Sequence, residues 1–155
     1  MLYYDLYTYK SWQFLILASD FGLRSIDLYD NQDLSSYMKL DIKTRVFKDA
    51  LNDYFKGIPF PSDLKLDLLG TDFQKKVWQA LLTIPFGKTR SYKDIAQAIG
   101  LPKAYQAVGN AVGKNPILVC VPCHRIITAD GHLGGFSSDI QLKIELLNLE
   151  GSSFI

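Results

Sequence analysis

The sequence predicts a small α/β domain over residues 1–69, followed by a mainly helical domain over residues 70–155 that carries a helix-turn-helix. Three observations support that division. Residues 1–30 are rich in Tyr, Leu, Phe and Ile and are broken at Ser19-Asp20 and Asp30-Asn31, as short strands joined by turns would be. Apolar residues of the second half recur instead at helical spacing. The charge also changes sign. Residues 1–70 hold 8 Lys/Arg against 10 Asp, net −2, whereas residues 71–155 hold 9 Lys/Arg against 4 Asp and 2 Glu, net +3.

In order along the chain, residues 1–30 supply two or three strands, with Gly22 in a turn between two of them. Val46, Ala50, Leu51, Tyr54 and Phe55 give a helix over 43–56 that stops at Gly57. Pro59 and Pro61 lack the N–H donors a helix interior needs. Leu64, Leu66 and Leu68 then alternate with Lys65 and Asp67, as an edge strand would, and Gly70 links to the second half. Thr71 caps a helix with Phe73, Val77, Trp78, Leu81 and Leu82 on one face, which Ile84-Pro85-Phe86-Gly87 breaks. Ser91 caps a short helix, Tyr92 to Ile99, closed by Gly100. After Leu101-Pro102 a further helix runs from Lys103 to Gly113, completing the helix-turn-helix. That last helix is nearly bare: Ala104, Ala107, Val108, Gly109, Ala111, Val112 and Gly113 carry no bulk. Glycine in a helix interior costs roughly 1 kcal/mol, so a close approach should compensate. Tight packing inside the protein and entry into a narrow DNA groove both satisfy that requirement.

Composition narrows the function classes. With 48% hydrophobic and 21% charged residues in 155, the chain can bury a core of ordinary size. No apolar run approaches the ~20 residues of a membrane-spanning helix, and the start Met1-Leu2-Tyr3-Tyr4-Asp5 is unlike a secretory signal. Two cysteines cannot staple a disulfide-rich mini-domain, so a reducing, cytoplasmic setting is expected. Net charge is +1, so bulk charge announces no nucleic acid. From Lys88 to Arg125, however, six basic residues face a single acid, Asp94, a mild basic stripe that a solvated surface would equally explain.

The chemistry concentrates in residues 115–127, Asn-Pro-Ile-Leu-Val-Cys-Val-Pro-Cys-His-Arg-Ile-Ile, where an apolar strand-like run delivers Cys123 beside His124. A cysteine nucleophile works as thiolate, and at an ordinary pKa of about 8.5 only a few per cent is ionised at neutral pH. It therefore needs a base, and His124 is the candidate, although neighbours on an extended chain point apart and a water or sharp turn must connect them. Rival readings attach to the same residues. Cys120-Val121-Pro122-Cys123-His124 matches the haem-attachment pattern C-x-x-C-H, against which stand the apolar approach and the scarcity of a second axial ligand among His132, Met1 and Met38. A redox C-x-x-C lacks its flanking βαβ pattern, and two Cys with two His fall short of a convenient zinc set. For Cys120 alone the reading is a buried core cysteine.

Val121-Pro122-Cys123-His124-Arg125-Ile126-Ile127 resembles the signature of the methylated-DNA–protein-cysteine methyltransferases, which repair O6-alkylguanine. The resemblance continues in Phe73-Gln74-x-x-Val77-Trp78, Ile84-Pro85-x-Gly87, Ser91-Tyr92, Ala107-Val108-Gly109, Lys114-Asn115-Pro116 and Leu146-Leu147-x-x-Glu150-Gly151. It covers residues 71–151 closely and residues 1–70 loosely.

The resemblance implies a ribonuclease H-like first domain and a winged-helix-like second one, acting as a monomer on double-stranded DNA with no cofactor and no metal. It implies that the recognition helix enters the minor groove and that the damaged nucleotide is flipped into a pocket. Cys123 would take the alkyl group irreversibly, His124 would accept its proton through a water, and Glu150 would orient His124. Tyr92 would donate to the guanine and protonate it as it leaves, Ser137 would bond the O6 position, and the carbonyls of Cys123 and Ile126 would read the exocyclic amine. Asn115 would brace the turn, while Val112 and Phe136 would set the pocket width. Ser91, Lys103, Ala104, Tyr105, Gln106, Ala107, Gly109 and Arg125 would meet DNA, Arg125 chiefly as scaffold. One departure stands out: where the family usually places an arginine to fill the gap left by the flipped base, this chain has Gln106, preceded by Tyr105. A non-catalytic binder of alkylated bases, a thiol-sensing regulator and a cysteine hydrolase are the competing functions, and the presence of Cys123 favours chemistry.

Overall fold

The computed structural model describes residues 1–155. The chain divides into two compact units, one of residues 1–69 with 116–120 and the other of residues 70–115 with 121–155. The sequence pattern predicts a single cut; residues 116–120 instead join the first unit. None of the helices is long and apolar enough to cross a membrane.

The first unit is a mixed sheet of β1 (Tyr3–Tyr9), β2 (Trp12–Ala18), β3 (Leu23–Leu28) and β4 (Met38–Lys39), in the order β3-β2-β1-β4. β1, β2 and β3 are antiparallel neighbours, and β4 pairs parallel to β1 at Tyr3 and Tyr4. β4 has only two residues and carries no sequence signal. Helix α1 (Asp41–Phe55) covers β1 and β2. It buries Phe47, Ala50, Leu51, Tyr54 and Phe55, and the Phe55 ring stacks on Tyr9 at 3.9 Å between centroids. Val46, expected on that stripe, is 57% exposed, because it lies one position ahead of the 47-50-51-54 face.

The expected edge strand over Leu64–Leu68 does not form. Only Leu66 bridges β3, at Leu23, through Leu23 N–H to Lys65 O (2.9 Å) and Asp67 N–H to Leu23 O (2.8 Å). The rest of that edge is taken: Ile117 bridges Ile26, with Ile26 N–H donating to Pro116 O (3.1 Å) and Leu118 N–H to Ile26 O (2.9 Å). Two short segments thus cover an edge that would otherwise invite pairing with another chain. The approach at Gly22 is tight, since a Cβ there would stand 2.6 Å from the Lys65 carbonyl oxygen.

The second unit is helical: α2 (Asp72–Leu82), α3 (Tyr92–Ala98), α4 (Tyr105–Gly113), one 3₁₀ turn (Cys123–Arg125) and α5 (Ile140–Leu149). Thr71 with Gln74 and Ser91 with Asp94 form reciprocal capping boxes that fix the starts of α2 and α3. Helix α2 buries Val77, Trp78 and Leu81, and the Trp78 indole N–H donates to Ala111 O of α4 at 2.9 Å. Leu82, expected on this face, is 41% exposed. Helix α4 starts at Tyr105 rather than Lys103, because residues 101–104 form a turn closed by Ala104 N–H to Leu101 O (2.9 Å). Helix α5 is an element the sequence pattern did not announce, although Asp139 caps it and Leu142, Leu146 and Leu147 are fully buried at helical spacing.

Candidate active site

The run that leads to Cys123 is not a strand. Cys120 N–H donates to Leu118 O at 2.8 Å, closing a three-residue turn around Val119, whose φ is +70°. This is the rarer and strained hand of the γ-turn, on a β-branched residue. Pro122, at φ −83° and ψ 63°, centres a second turn of the relaxed hand, closed by Cys123 N–H to Val121 O at 2.8 Å. The 3₁₀ turn comes next and carries Cys123, His124 and Arg125, so consecutive side chains need not point to opposite sides as on a strand. Asn115 braces the approach by donating from Nδ2 to Val121 O at 2.7 Å.

Glu150, the C-cap of α5, gathers His124 and Arg125, the two residues after Cys123, around one carboxylate. Its side chain is fully buried, and Oε2 lies 2.7 Å from His124 Nε2. Arg125 donates from Nε to Oε1 (2.8 Å) and from Nη2 to Oε2 (3.0 Å), while its Nη1 donates to Ile84 O (2.6 Å). The Gly87 N–H adds a donor to Oε1 at 3.2 Å. A carboxylate accepts, so His124 donates through Nε2–H, and in the neutral ring the lone pair sits on Nδ1. Burial, with the nearby Arg125 and Lys143 charges, lowers the His124 pKa below its ordinary 6.5 against the opposing pull of Glu150. The ring is therefore neutral at pH 7 and able to accept a proton.

Cys123, 5% exposed, forms part of the wall of a cavity of about 150 Å³. Tyr92, Val112, Phe136 and Ser137 line it with their side chains, and Gly109, Gly113 and Gly135 leave bare backbone. The volume is well below the ~300 Å³ floor of drug-sized pockets and is on the scale of a single planar nucleobase. Burial pushes the Cys123 thiol up to about 11, against the lowering effect of Asn115 and of the Lys143 charge. Burial also raises the Tyr92 phenol, so it stays a donor at every working pH. Ser137 donates from Oγ to Gly113 O at 3.1 Å, tying its loop to the end of α4.

The expected pocket residues Tyr92, Val112, Cys123, Phe136 and Ser137 thus meet at one cavity. Ile126 is not on its wall; it is 1% exposed and its carbonyl accepts from Lys143 Nζ at 2.7 Å. Of the expected DNA contacts, Lys103, Tyr105, Gln106 and Ala107 are exposed, and Ala104 and Gly109 are half-buried along α4. The Lys93 ammonium sits 5.5 Å from the Tyr105 ring centroid. Ser91 is engaged as the cap of α3. Arg125 is not at the surface with the other expected DNA contacts: at 8% exposure, with Nε, Nη1 and Nη2 all bonded inside the protein, it serves as the scaffold residue it was chiefly expected to be.

The bare helix is not explained from within. A Cβ on Gly109 would meet only the Tyr92 ring at an ordinary 3.7 Å, and one on Gly113 would meet nothing within 4 Å. Internal packing therefore demands neither glycine. Lys143 is the residue that sequence reasoning missed. A lysine inside an unrecognised helix reads as a solvated charge, and only the Leu142-Leu146-Leu147 spacing beside it could have placed it on a buried face.

Residues 72–152 match the family model described as 6-O-methylguanine DNA methyltransferase, DNA binding domain. A methylated-DNA–protein-cysteine methyltransferase of Methanosarcina barkeri is 41% identical over 158 residues, spanning 96% of this chain and 97% of that protein. The crystal structure of Mycobacterium tuberculosis OGT in complex with DNA superposes with a TM-score of 0.86 at 40% identity, over 96% of this chain and 92% of that one. The O6-methylguanine-DNA methyltransferase of Pyrococcus kodakaraensis strain KOD1 gives a TM-score of 0.67 at 25% identity, over 97% of this chain and 99% of that one.

Proposed function

The chain belongs to the methylated-DNA–protein-cysteine methyltransferase family, and on that premise we propose that it repairs O6-alkylguanine in duplex DNA by moving the alkyl group irreversibly onto its own Cys123. The observation that carries this reading is a buried cysteine in the wall of a base-sized cavity, succeeded in the same turn by a histidine paired to a buried carboxylate. In this reading α4 enters the minor groove, where its unpacked glycines let backbone approach DNA, and the alkylated base turns out of the stack into the cavity. The ribonuclease H-like reading of the first unit draws support from its β3-β2-β1-β4 order, and the winged-helix-like reading of the second from α3 and α4.

The Cys123 proton passes to His124 Nδ1 through a water, and the imidazolium is stabilised by Glu150. The thiolate sulfur attacks the alkyl carbon; an S–C bond forms as the C–O6 bond breaks. The departing guanine takes a proton from the Tyr92 hydroxyl, which its half-buried place keeps protonated until that step; the imidazolium then gives up the proton it took from Cys123 and the tyrosinate regains one, through solvent. No group removes the alkyl from sulfur, so each molecule acts once.

Intact mass and peptide mapping after incubation with duplex carrying one O6-methylguanine test this directly. The expected result is one added methyl on the Cys123 peptide, never more than one per molecule, and none in Cys123→Ala. Lesion-selective binding without mass gain would replace the proposal with a non-catalytic sensor. The absence of both transfer and selective binding would end the alkyl-transfer reading.

Gln106 or its neighbour Tyr105 would fill the gap left by the flipped base, in either case without the charge an arginine brings. Gln106→Arg is expected to steepen the salt dependence of non-specific DNA binding by about one unit of slope. An unchanged slope would show that position 106 does not face DNA.

A further inference from the structure

Lys143 lies on α5 with 1% of its surface exposed. Its Nζ donates to Ile126 O at 2.7 Å and to Gly135 O at 3.0 Å, and it stands 6.0 Å from the centroid of the Phe136 ring. The two carbonyls belong to different segments, of which only Gly135 lies on the cavity wall. Ile126 comes directly after the 3₁₀ turn that carries Cys123, while Gly135 and Phe136 belong to the loop on the other side of the cavity. The titratable groups that face Lys143 are Cys123 and His124, both on the 3₁₀ turn packed against α5. Its charge is met by carbonyl oxygens and an aromatic face, an arrangement that leaves it available to a developing negative charge.

We propose that Lys143 is a positioning residue of the alkyl-accepting pocket: its buried ammonium ties the 134–138 loop to the Ile126 backbone and holds a positive charge facing the Cys123 thiol. This rests on the alkyl-transfer reading above. Removing the ammonium frees the loop that carries Phe136 and Ser137, and it removes the one cation that favours a Cys123 thiolate. Burial lowers the lysine to about 8, so the charge itself begins to disappear at mildly alkaline pH.

The test compares Lys143→Met and Lys143→Gln with the wild type. Met keeps the length and apolar stem without donor or charge; Gln keeps a donor without charge. Both are expected to fold, because an apolar or neutral group replaces a buried cation. Lys143→Met is expected to slow transfer at saturating DNA about tenfold or more, with DNA affinity within about twofold of wild type. Amide exchange at 134–138 should rise in Met and partly recover in Gln. Wild-type transfer should decline above pH ~8 as the ammonium titrates, and neither variant should show that limb. Two readouts do not depend on DNA repair: loop exchange, and the rate at which iodoacetamide labels Cys123, which should fall in both variants at pH 8. If both are unchanged, the Lys143 proposal is wrong. If they change while wild-type protein transfers nothing, the positioning role stands and the alkyl-transfer reading fails.

Discussion

Glu150→Ala is expected to lower the stability of the protein by about 3–5 kcal/mol and to abolish alkyl transfer. The carboxylate accepts from His124, twice from Arg125 and from the Gly87 N–H, all inside the protein. Its loss leaves a guanidinium, 8% exposed, with Ile84 O and the Phe86 ring face but no anion, and an imidazole without the acceptor that fixes its tautomer. Breaking one side of a buried pair costs more than the pair contributes, because the remaining charge stays desolvated. Urea unfolding followed by tryptophan fluorescence would read the loss. An unfolding free energy within about 0.5 kcal/mol of wild type, the range of ordinary surface substitutions, would mean that the cluster does not hold the site together. Glu150→Gln should fall between, since its amide keeps one acceptor but points a second donor at Arg125.

The second large effect is a divergence between two pH profiles. With the Cys123 thiol at about 11, about one molecule in ten thousand carries a thiolate at pH 7. Iodoacetamide labelling of the free protein should therefore be slow and should climb about tenfold per pH unit from 7 to 10. Transfer from alkylated DNA should not track that slope. It requires neutral His124, whose pKa is lowered by burial, so the rate should hold level from pH 7 to about 8, fall on the acid side only below the ordinary histidine value of 6.5, and decline on the alkaline side as Lys143 loses its charge. Labelling at pH 7 as fast as that of an exposed cysteine would remove burial as the control on the thiol. Stability carries the same sign on the acid side. The unfolded chain takes up a proton at His124 near 6.5 and the folded one does so lower, so the folded state loses stability as pH drops through that window.

Much of this was legible in the residues. Capping boxes at Thr71 and Ser91 are local chemistry, written in four consecutive positions, and the helices start where those residues predict. Cys123, His124 and Glu150 could be named because a dense motif carries them; their mutual geometry depends on contacts across 25 and 26 positions, which no local pattern encodes. The features that stayed illegible obey the same rule. Leu64, Leu66 and Leu68 alternate as a strand should, but strand formation needs a free partner edge, and Ile117 takes that edge at Ile26. The stretch before Cys123 reads as strand by composition, yet Val119 and Pro122 turn it twice. Lys143 was invisible because its burial is imposed by α5 and by a loop carbonyl, not by its own character.

Residues 116–120 belong to the first unit although the chain makes them long after residues 1–69. Ile26 waits for Ile117, 91 positions later, to complete its backbone pairing. At synthesis rates of about 5–20 residues per second, the nascent sheet spends several seconds with that stretch of β3 unpaired. The early translation product is thus an open-edged sheet exposed to intermolecular pairing, and the segment that closes it leads directly into the turn that presents Cys123.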